Sequence, residues 1–128
     1  MSAPHPQAPE TETRSEDLQL ITNAYLDAFA ARDLERCLTY FSDYAVLQFH
    51  VSTFRDKKGI EQWHKDRFAA DLRLVRIDEM ETDGDTVRIE GVITSKRLRA
   101  WLVNEMEGMV TIRFEQGRMK HVKFSWNG

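Results

Sequence analysis

The chain has 128 residues, of which 41% are hydrophobic and 30% are charged, as in one ordinary globular domain. Its formal net charge of -3 gives no electrostatic reason to bind nucleic acid. Cys37 is the only cysteine, which excludes an intrachain disulfide, and no apolar run approaches the roughly twenty residues of a membrane span. We therefore expect a cytoplasmic protein with no nucleic-acid or membrane partner.

The N-terminal segment differs in composition from the rest of the chain. All three prolines of the sequence lie within residues 1–9. Polar residues surround them without apolar periodicity, which is typical of segments that cannot bury enough apolar surface to fold. We predict a disordered tail over residues 1–14 and a single domain over residues 15–128.

A long amphipathic helix is expected to begin at Ser15. The Ser15 hydroxyl can cap the first turn, where the helix dipole also favours Glu16 and Asp17. Apolar residues then recur at spacings of three and four, as on one face of a helix: Leu18, Ile21, Tyr25, Ala28 and Phe29. The pattern places Tyr25 on the face that should pack against the core.

Two shorter helices flank the first strand. Asp33 can cap a second helix that we expect to end at Phe41, before a turn at residues 42–43. Residues 46–51 alternate in polarity, which predicts a strand. Asp56 can cap a third helix, in which three apolar residues and one histidine share a face: Ile60, Trp63, His64 and Phe68.

The second half of the chain alternates with a period of two and predicts two β-hairpins. Residues 72–82 and 86–94 form the first hairpin, and residues 106–115 and 119–126 form the second. Each pair is joined by a turn that contains a glycine, which is a strong hairpin signal. Helices followed by antiparallel strands indicate an α+β domain.

Residues 95–104 fit two structures. Leu98 and Trp101 have helical spacing behind a possible Ser95 cap, which would suit a short lid over a pocket. Alternatively, the segment continues one long hairpin, and the side chains of Trp101 and Val103 pack in a dimer.

The order of elements over residues 25–50 resembles the opening of the nuclear-transport-factor-2-like superfamily. This superfamily includes ketosteroid isomerases, SnoaL-type polyketide cyclases and limonene epoxide hydrolases. The resemblance extends from Ser15 to Trp126 and rests on hydrophobic spacing. It implies a cone-shaped α+β fold in which three N-terminal helices pack on a strongly curved antiparallel sheet and enclose an apolar pocket. It also implies a homodimer through the sheet.

The resemblance implies roles for individual residues. The tyrosine with which ketosteroid isomerases stabilise an enolate corresponds to Tyr25, and the tyrosine that supports it corresponds to His64. The carboxylate that shuttles the proton corresponds to Phe49, and the second carboxylate falls on or beside Val110. Because both acids are replaced, the isomerase mechanism cannot run here in that form.

The other enzymatic branches of the superfamily also use inward-facing acids. Limonene epoxide hydrolases use an Asp-Arg-Asp relay around a water, with the acids on inward strand positions. Here four acids of the strands are expected on the solvated face instead: Asp78, Glu79, Glu81 and Glu90. Where SnoaL-type cyclases place an acid, this chain has apolar residues. We therefore expect an apolar pocket with these ligand-binding residues: Phe29, Phe41, Phe49, Trp63, Asn104, Val110, Phe124 and Trp126. For Asn104, a turn position is an equal alternative.

Tyr25 and His64 are the candidate catalytic pair. His64 could act as a general acid or base through Tyr25, or both residues could be structural members of the core. His50 and His121 are expected to be solvated. Because these histidines share no spacing with an acid, we expect no metal, and the resemblance implies no cofactor.

Two classes of function follow for a protein that binds a small hydrophobic or aromatic molecule. The first is a cofactor-independent isomerase, cyclase or lyase, in which Tyr25 polarises a carbonyl and His64 transfers protons. The second is a non-catalytic ligand-binding or dimerisation module. A nuclear transport function, with a GTPase and Phe-Gly repeats as partners, has no support beyond the shared fold.

Overall fold

The computed structural model describes residues 7–102 and 104–126, and side chains from residue 15 onwards. Val103, which the hairpin alternative would place in a dimer, lies outside the described residues. The elements in chain order are α1 (Gln7–Ala30), α2 (Leu34–Thr39), β1 (Phe41–Phe49), β2 (Ser52–Arg55), α3 (Asp56–Ala69), β3 (Arg73–Asp83), β4 (Thr86–Thr94), α4 (Lys96–Ala100), β5 (Met106–Glu115) and β6 (Arg118–Trp126).

The strands form one six-stranded sheet in the order β2-β1-β6-β5-β4-β3. Neighbouring strands are antiparallel except for β1 and β6, which are parallel. Helices α1 and α3 cover one face of this sheet. Their apolar sides, which include Ala28 and Ile60, form the core together with inward residues of the strands: Leu47, Val87, Ile112 and Val122. The predicted α+β class with helices packed on a curved sheet is confirmed.

Both predicted hairpins are present. Gly84 and Gly117 have φ values of +63° and +79°, which an L side chain rarely adopts, so the turns depend on glycine at these positions. In the second hairpin Ile112 lies opposite Val122, and Val110 lies opposite Phe124. Inward-facing residues of β5 therefore meet inward-facing residues of β6, as the alternation predicts.

The helix boundaries differ from the predicted ones. Helix α1 begins at Gln7, so Ser15 lies inside it and caps nothing; Pro9 is tolerated because it falls in the first turn, where its missing N–H is not needed. The disorder expected over residues 1–14 stays a prediction. Helix α2 has the predicted cap, since the Asp33 side chain accepts from the amide of Arg36. It ends at Thr39 because Phe41 is buried as the first residue of β1.

The short strand β2 was not predicted. It pairs with the end of β1 through a turn at His50, which has a φ of +59°. No glycine marks this turn, and four residues are too few to show a clear period. Helix α3 then begins directly after β2, and its first residue is Asp56, with no side-chain capping bond at Arg55.

Gly91 allows the sheet to bend around the cavity. The register of β3 against β4 shifts twice, between Leu74 and Arg76 and between Ile77 and Glu79. A Cβ atom at Gly91 would lie 2.6 Å from the carbonyl oxygen of Arg76. The close approach of the two backbones therefore requires glycine at this position.

The segment after β4 is a helix. The Ser95 side chain caps α4 by accepting from the amide of Leu98 at 3.3 Å. Trp101 and Leu102 are 68% and 89% exposed. The long-hairpin alternative is therefore wrong. The lid alternative is correct in secondary structure only, because the wall of the cavity described below contains no residue of α4.

Asp71 fixes α4 to the rest of the fold. Its carboxylate accepts from Arg73 at 2.9 Å, from Arg32 in the turn after α1 at 2.8 Å and from Arg99 of α4 at 2.6 Å. The arginine hydrogen bonds, with that of Arg73 the largest contribution, hold the pKa of Asp71 well below its usual range.

Within the described residues, no helix is long and apolar enough to cross a membrane.

Candidate ligand cavity

A cavity of about 80 Å³ lies between α1 and the concave face of the sheet and opens on one side. Five of the eight predicted ligand-binding residues are in its wall: Phe29, Phe49, Val110, Phe124 and Trp126. The sequence analysis missed eight further apolar wall residues: Leu26, Leu72, Leu74, Ile89, Ile93, Met109, Ile112 and Val122. For Ile89 on β4, Ile112 on β5 and Val122 on β6, the two-residue period was a sufficient signal, because they share a face with predicted core positions.

Three predicted ligand-binding residues lie outside this wall. Phe41 is buried behind it, with its ring centroid 5.5 Å from that of Tyr25. Trp63 is 1% exposed and packs behind Phe124, with centroids 5.0 Å apart. Asn104 is exposed, because β5 begins only at Met106 and the inward alternation does not extend to residue 104.

Tyr25 and His64 form one buried hydrogen-bonded pair. The helical period of α1 turns Tyr25 towards the core, and α3 presents His64 from the opposite side. The Tyr25 hydroxyl oxygen lies 2.7 Å from His64 Nε2, and His64 Nδ1 lies 2.8 Å from the carbonyl oxygen of Ile60. The two residues that the resemblance brings together are therefore in direct contact, and Tyr25 is also part of the cavity wall.

Burial keeps both members of the pair uncharged. It lowers the pKa of His64 to about 4, although the hydrogen bond to Ile60 acts in the opposite direction. Burial, with a smaller contribution from Cys37, raises the pKa of Tyr25 well above its ordinary value of 10.0. Burial likewise raises the pKa of the Cys37 thiol to about 12. At neutral pH the pair therefore contains a neutral imidazole and a neutral phenol.

The hydrogen-bond partners determine the tautomer of His64. A carbonyl oxygen only accepts, so the contact with Ile60 places the ring proton on Nδ1. Nε2 then carries a lone pair and accepts the hydroxyl proton of Tyr25. Both donors of the pair are used, and only the Tyr25 oxygen retains lone pairs for another partner.

The acids of the sheet lie where the sequence analysis expected them. Asp78 pairs with Arg76 at 2.9 Å, and Glu81 pairs with Arg88. Repulsion from Glu81, and then from Glu90, raises the pKa of Glu79. Among the wall residues within the described part of the chain there is no carboxylate. Phe49 and Val110, to which the resemblance assigns the positions of the two isomerase acids, are both in the wall.

His50 and His121 do not face the cavity. His50 is exposed at the turn after β1 and stacks on Trp126, with ring centroids 4.9 Å apart and planes 10° apart. His121 lies on β6, opposite Arg113 of β5. It is adjacent in sequence to the buried Val122, so its side chain lies on the other face of the strand.

The sequence analysis missed an unusual feature of α3. The guanidinium carbon of Arg67 lies 4.8 Å from the centre of the Phe49 ring. Arg67 Nε and Trp63 Nε1 are buried without a hydrogen-bond partner within residues 7–102 and 104–126. The spacing of four residues between Trp63 and Arg67 was the available signal, since it places both on one side of a helix.

Helices packed on one curved, unclosed sheet around an apolar cavity define the nuclear-transport-factor-2-like class of folds. The sequence profile of the SnoaL-like domain matches residues 22–122, and the chain belongs to this family. None of the curated proteins compared with the chain matches it.

Solved structures support the same fold. A proposed polyketide cyclase from Sinorhizobium meliloti has a TM-score of 0.75 and 20% identity, over 87% of this chain and 98% of that one. A proposed ketosteroid isomerase from Kribbella flavida has a TM-score of 0.76 and 13% identity, over 89% of this chain and 80% of that one. A nuclear-transport-factor-2-like protein of unknown function from Mesorhizobium loti has a TM-score of 0.76 and 18% identity, over 90% of this chain and 94% of that one. At these identities the likeness concerns the fold alone.

Proposed function

We propose that this protein binds a compact apolar molecule in the cavity between α1 and the sheet. The observation that carries the proposal is a wall of aromatic and aliphatic side chains around a space that the core does not fill. A void of about 80 Å³ costs about 2 kcal/mol of stability relative to a filled core, at about 24 cal/mol per Å³. A ligand that fills the space would recover this loss.

The size of the cavity limits the ligand. Its volume of about 80 Å³ is roughly half of the ~150 Å³ of an engineered apolar cavity that holds benzene. A single aromatic or alicyclic ring would therefore fill the cavity and extend towards the open side. A fused four-ring steroid is too large for the enclosed part, so a small monocyclic or bicyclic compound is the better candidate.

The electrostatics of the pair support binding rather than proton transfer. A general acid or base works best with a pKa near the operating pH. The pKa of His64 is lowered to about 4, and the pKa of Tyr25 is raised well above 10.0, so both move away from neutrality. The non-catalytic ligand-binding function is therefore favoured over an isomerase, cyclase or lyase that uses this pair.

A cavity-filling variant tests the proposal. Toluene is titrated into the wild type and into Val110→Trp, and binding is followed by thermal shift and by NMR. Arg113→Trp is the control, because Arg113 is exposed on the same strand. We expect toluene to stabilise the wild type and the control and to lose its effect in Val110→Trp. Equal stabilisation of all three proteins, or of none, would refute a cavity ligand.

We also propose that two copies associate through the sheet, at its β3 edge. Strand β3 has a neighbour on one side only, and Leu74, Val75 and Ile77 are 39%, 44% and 38% exposed. An exposed edge with apolar side chains favours pairing with another chain. Sedimentation equilibrium should give a dimer for the wild type and for Leu20→Lys on α1, and a monomer for Val75→Lys. A monomeric wild type would contradict the proposal.

A further inference from the structure

We propose that a groove between α1 and β3 is a second binding site, which takes a small organic anion: an apolar ring or chain that ends in a carboxylate. The groove has a volume of about 320 Å³ and lies beside the cavity, with which it shares three wall residues: Leu26, Phe29 and Leu74. Clefts that bind small molecules commonly measure about 300–1,000 Å³. The inference goes beyond the proposed function, because it concerns a different space and a charged ligand.

The greater part of the groove wall is apolar. Helix α1 contributes Leu26, Phe29 and Ala30, and strand β3 contributes Leu74 and Ile77. The side chains of Leu74 and Ile77 are 39% and 38% exposed. The groove therefore leaves apolar surface in contact with water, and a ligand with an apolar body would cover it.

The charges at the groove favour an anion. Arg32 and Arg73 are in its wall, and Asp27 opposes them. Both arginines bond to Asp71, and this carboxylate also accepts from Arg99, so one negative charge is shared by three positive ones. These five groups together carry one net positive charge, in a chain whose formal net charge is -3. The local excess of positive charge attracts a carboxylate more strongly than a neutral group of the same shape.

The two arginines of the wall can also donate to a ligand. Arg73 bonds to Asp71 through Nε at 2.9 Å, and its two terminal nitrogens are not used in that bond. A guanidinium can bind a carboxylate through two parallel N–H donors. The guanidinium carbon of Arg32 lies 5.7 Å from the centre of the Phe29 ring. Positive charge therefore lies beside the apolar wall, as a ligand with a ring and a carboxylate requires.

The ends of two helices hold Arg32 in place. Arg32 follows α1 and Asp71 follows α3, and both have a left-handed backbone, with φ values of +58° and +54°. After each of them the next amide donates to a carbonyl five residues earlier, which fixes the helix end. The 2.8 Å ion pair then joins the two ends. An anion can therefore bind to Arg32 without first ordering this side chain.

The test uses two ligands of matched shape, 3-phenylpropanoate and 3-phenylpropanamide. They are titrated into the isotope-labelled wild type at low ionic strength and about pH 7, where the carboxylate is ionised, and followed by NMR. We expect NOEs from both ligands to the methyl groups of Ile77, which lines the groove and not the cavity. We also expect the carboxylate to bind about fivefold more tightly than the amide, and added salt to reduce this preference.

The same titration separates the inference from the proposed function. Equal affinities of the two ligands, or no binding of the carboxylate, would overturn the inference. NOEs confined to the methyl groups of Ile112 and Val122, which line the cavity and not the groove, would overturn it as well. The last result would leave the proposed function standing, and binding of toluene in the cavity tests that function separately.

A variant of Arg73 tests whether the arginines cause the preference. Arg73→Gln removes a positive charge from the groove wall, whereas Asp71 keeps its bonds to Arg32 and Arg99. We expect Arg73→Gln to lose most of the preference for the carboxylate. Arg76→Gln is the control, because Arg76 lies on the same strand, pairs with Asp78 and is not in the groove wall, and it should keep the preference. An unchanged preference in Arg73→Gln would overturn the inference.

A variant of Asp27 should act in the opposite direction. Asp27 is exposed on α1, and Asp27→Asn removes the negative charge that opposes a carboxylate in the groove. We expect 3-phenylpropanoate to bind roughly twofold more tightly, with no change for the amide. Damage to the structure would weaken the binding of both ligands and cannot produce this result. Unchanged or weaker binding of the carboxylate would contradict its placement in the groove.

Discussion

His64 should make the stability of this protein depend on pH. The unfolded chain has a histidine pKa of about 6.5, whereas burial lowers the folded-state pKa to about 4. Between these values the unfolded state binds a proton that the folded state does not bind. Stability therefore falls as the pH is lowered through this window and changes little from this source above about pH 7.

The size of the effect follows from the two pKa values. Lowering the pH from about 7.5 to about 5 should remove about 2 kcal/mol of the free energy of unfolding. The assay is urea unfolding followed by circular dichroism at several pH values, for the wild type and for His64→Gln. The variant loses this titration but keeps the others, including the raised pKa of Glu79 and the lowered pKa of Asp71.

The pH dependence of the free energy of unfolding is compared between the wild type and His64→Gln. We expect the wild type to lose about 2 kcal/mol more than the variant over this pH range. Equal slopes would show that His64 titrates in the folded protein as it does in water. In that case the imidazole is accessible to solvent, and the argument that it accepts the Tyr25 proton at neutral pH would be refuted.

Three further substitutions and one control have expected effects on urea unfolding. Tyr25→Phe should destabilise by about 1–3 kcal/mol, because it leaves a buried imidazole nitrogen unpaired; an unchanged midpoint would contradict the 2.7 Å bond. Gly91→Ala should destabilise by about 1–3 kcal/mol, since its Cβ would lie 2.6 Å from a backbone oxygen. Gly59→Ala is its control, because the new Cβ would meet Phe54 at an ordinary 3.6 Å and the helix should gain up to about 1 kcal/mol; similar losses in both would refute the packing argument. Trp63→Phe should destabilise by about 1–3 kcal/mol through lost packing alone, because the lost N–H has no partner among the described residues; a larger loss would indicate a bond at Nε1.

The elements that sequence reasoning found are those with strong local signals. Both hairpins have a glycine at the turn, and Gly84 and Gly117 indeed adopt positive φ values. Strand β2 was missed because its turn at His50 uses a positive φ without glycine. The start of α1 was missed because Ser15 has the chemistry of a cap, yet the residues before it also fit a helix.

The candidate site was predictable in part. Helical spacing and the family resemblance were sufficient to bring Tyr25 and His64 together. The direction of their hydrogen bond was not predictable, because it depends on the Ile60 carbonyl one turn earlier in α3, which no pattern of side chains reveals. Asn104 was misplaced because alternation was extended past the first residue of β5. The contact of the Arg67 guanidinium with the Phe49 ring was missed because it is made between elements.

The location of a bound ring tests the central claim most directly. Intermolecular NOEs are recorded between toluene and the methyl groups of the isotope-labelled wild type. We expect NOEs to Ile89, Ile112 and Val122, which lie in the cavity wall. NOEs confined to surface methyl groups such as those of Leu20 and Val51, which are 66% and 87% exposed, would show that the cavity is not the binding site.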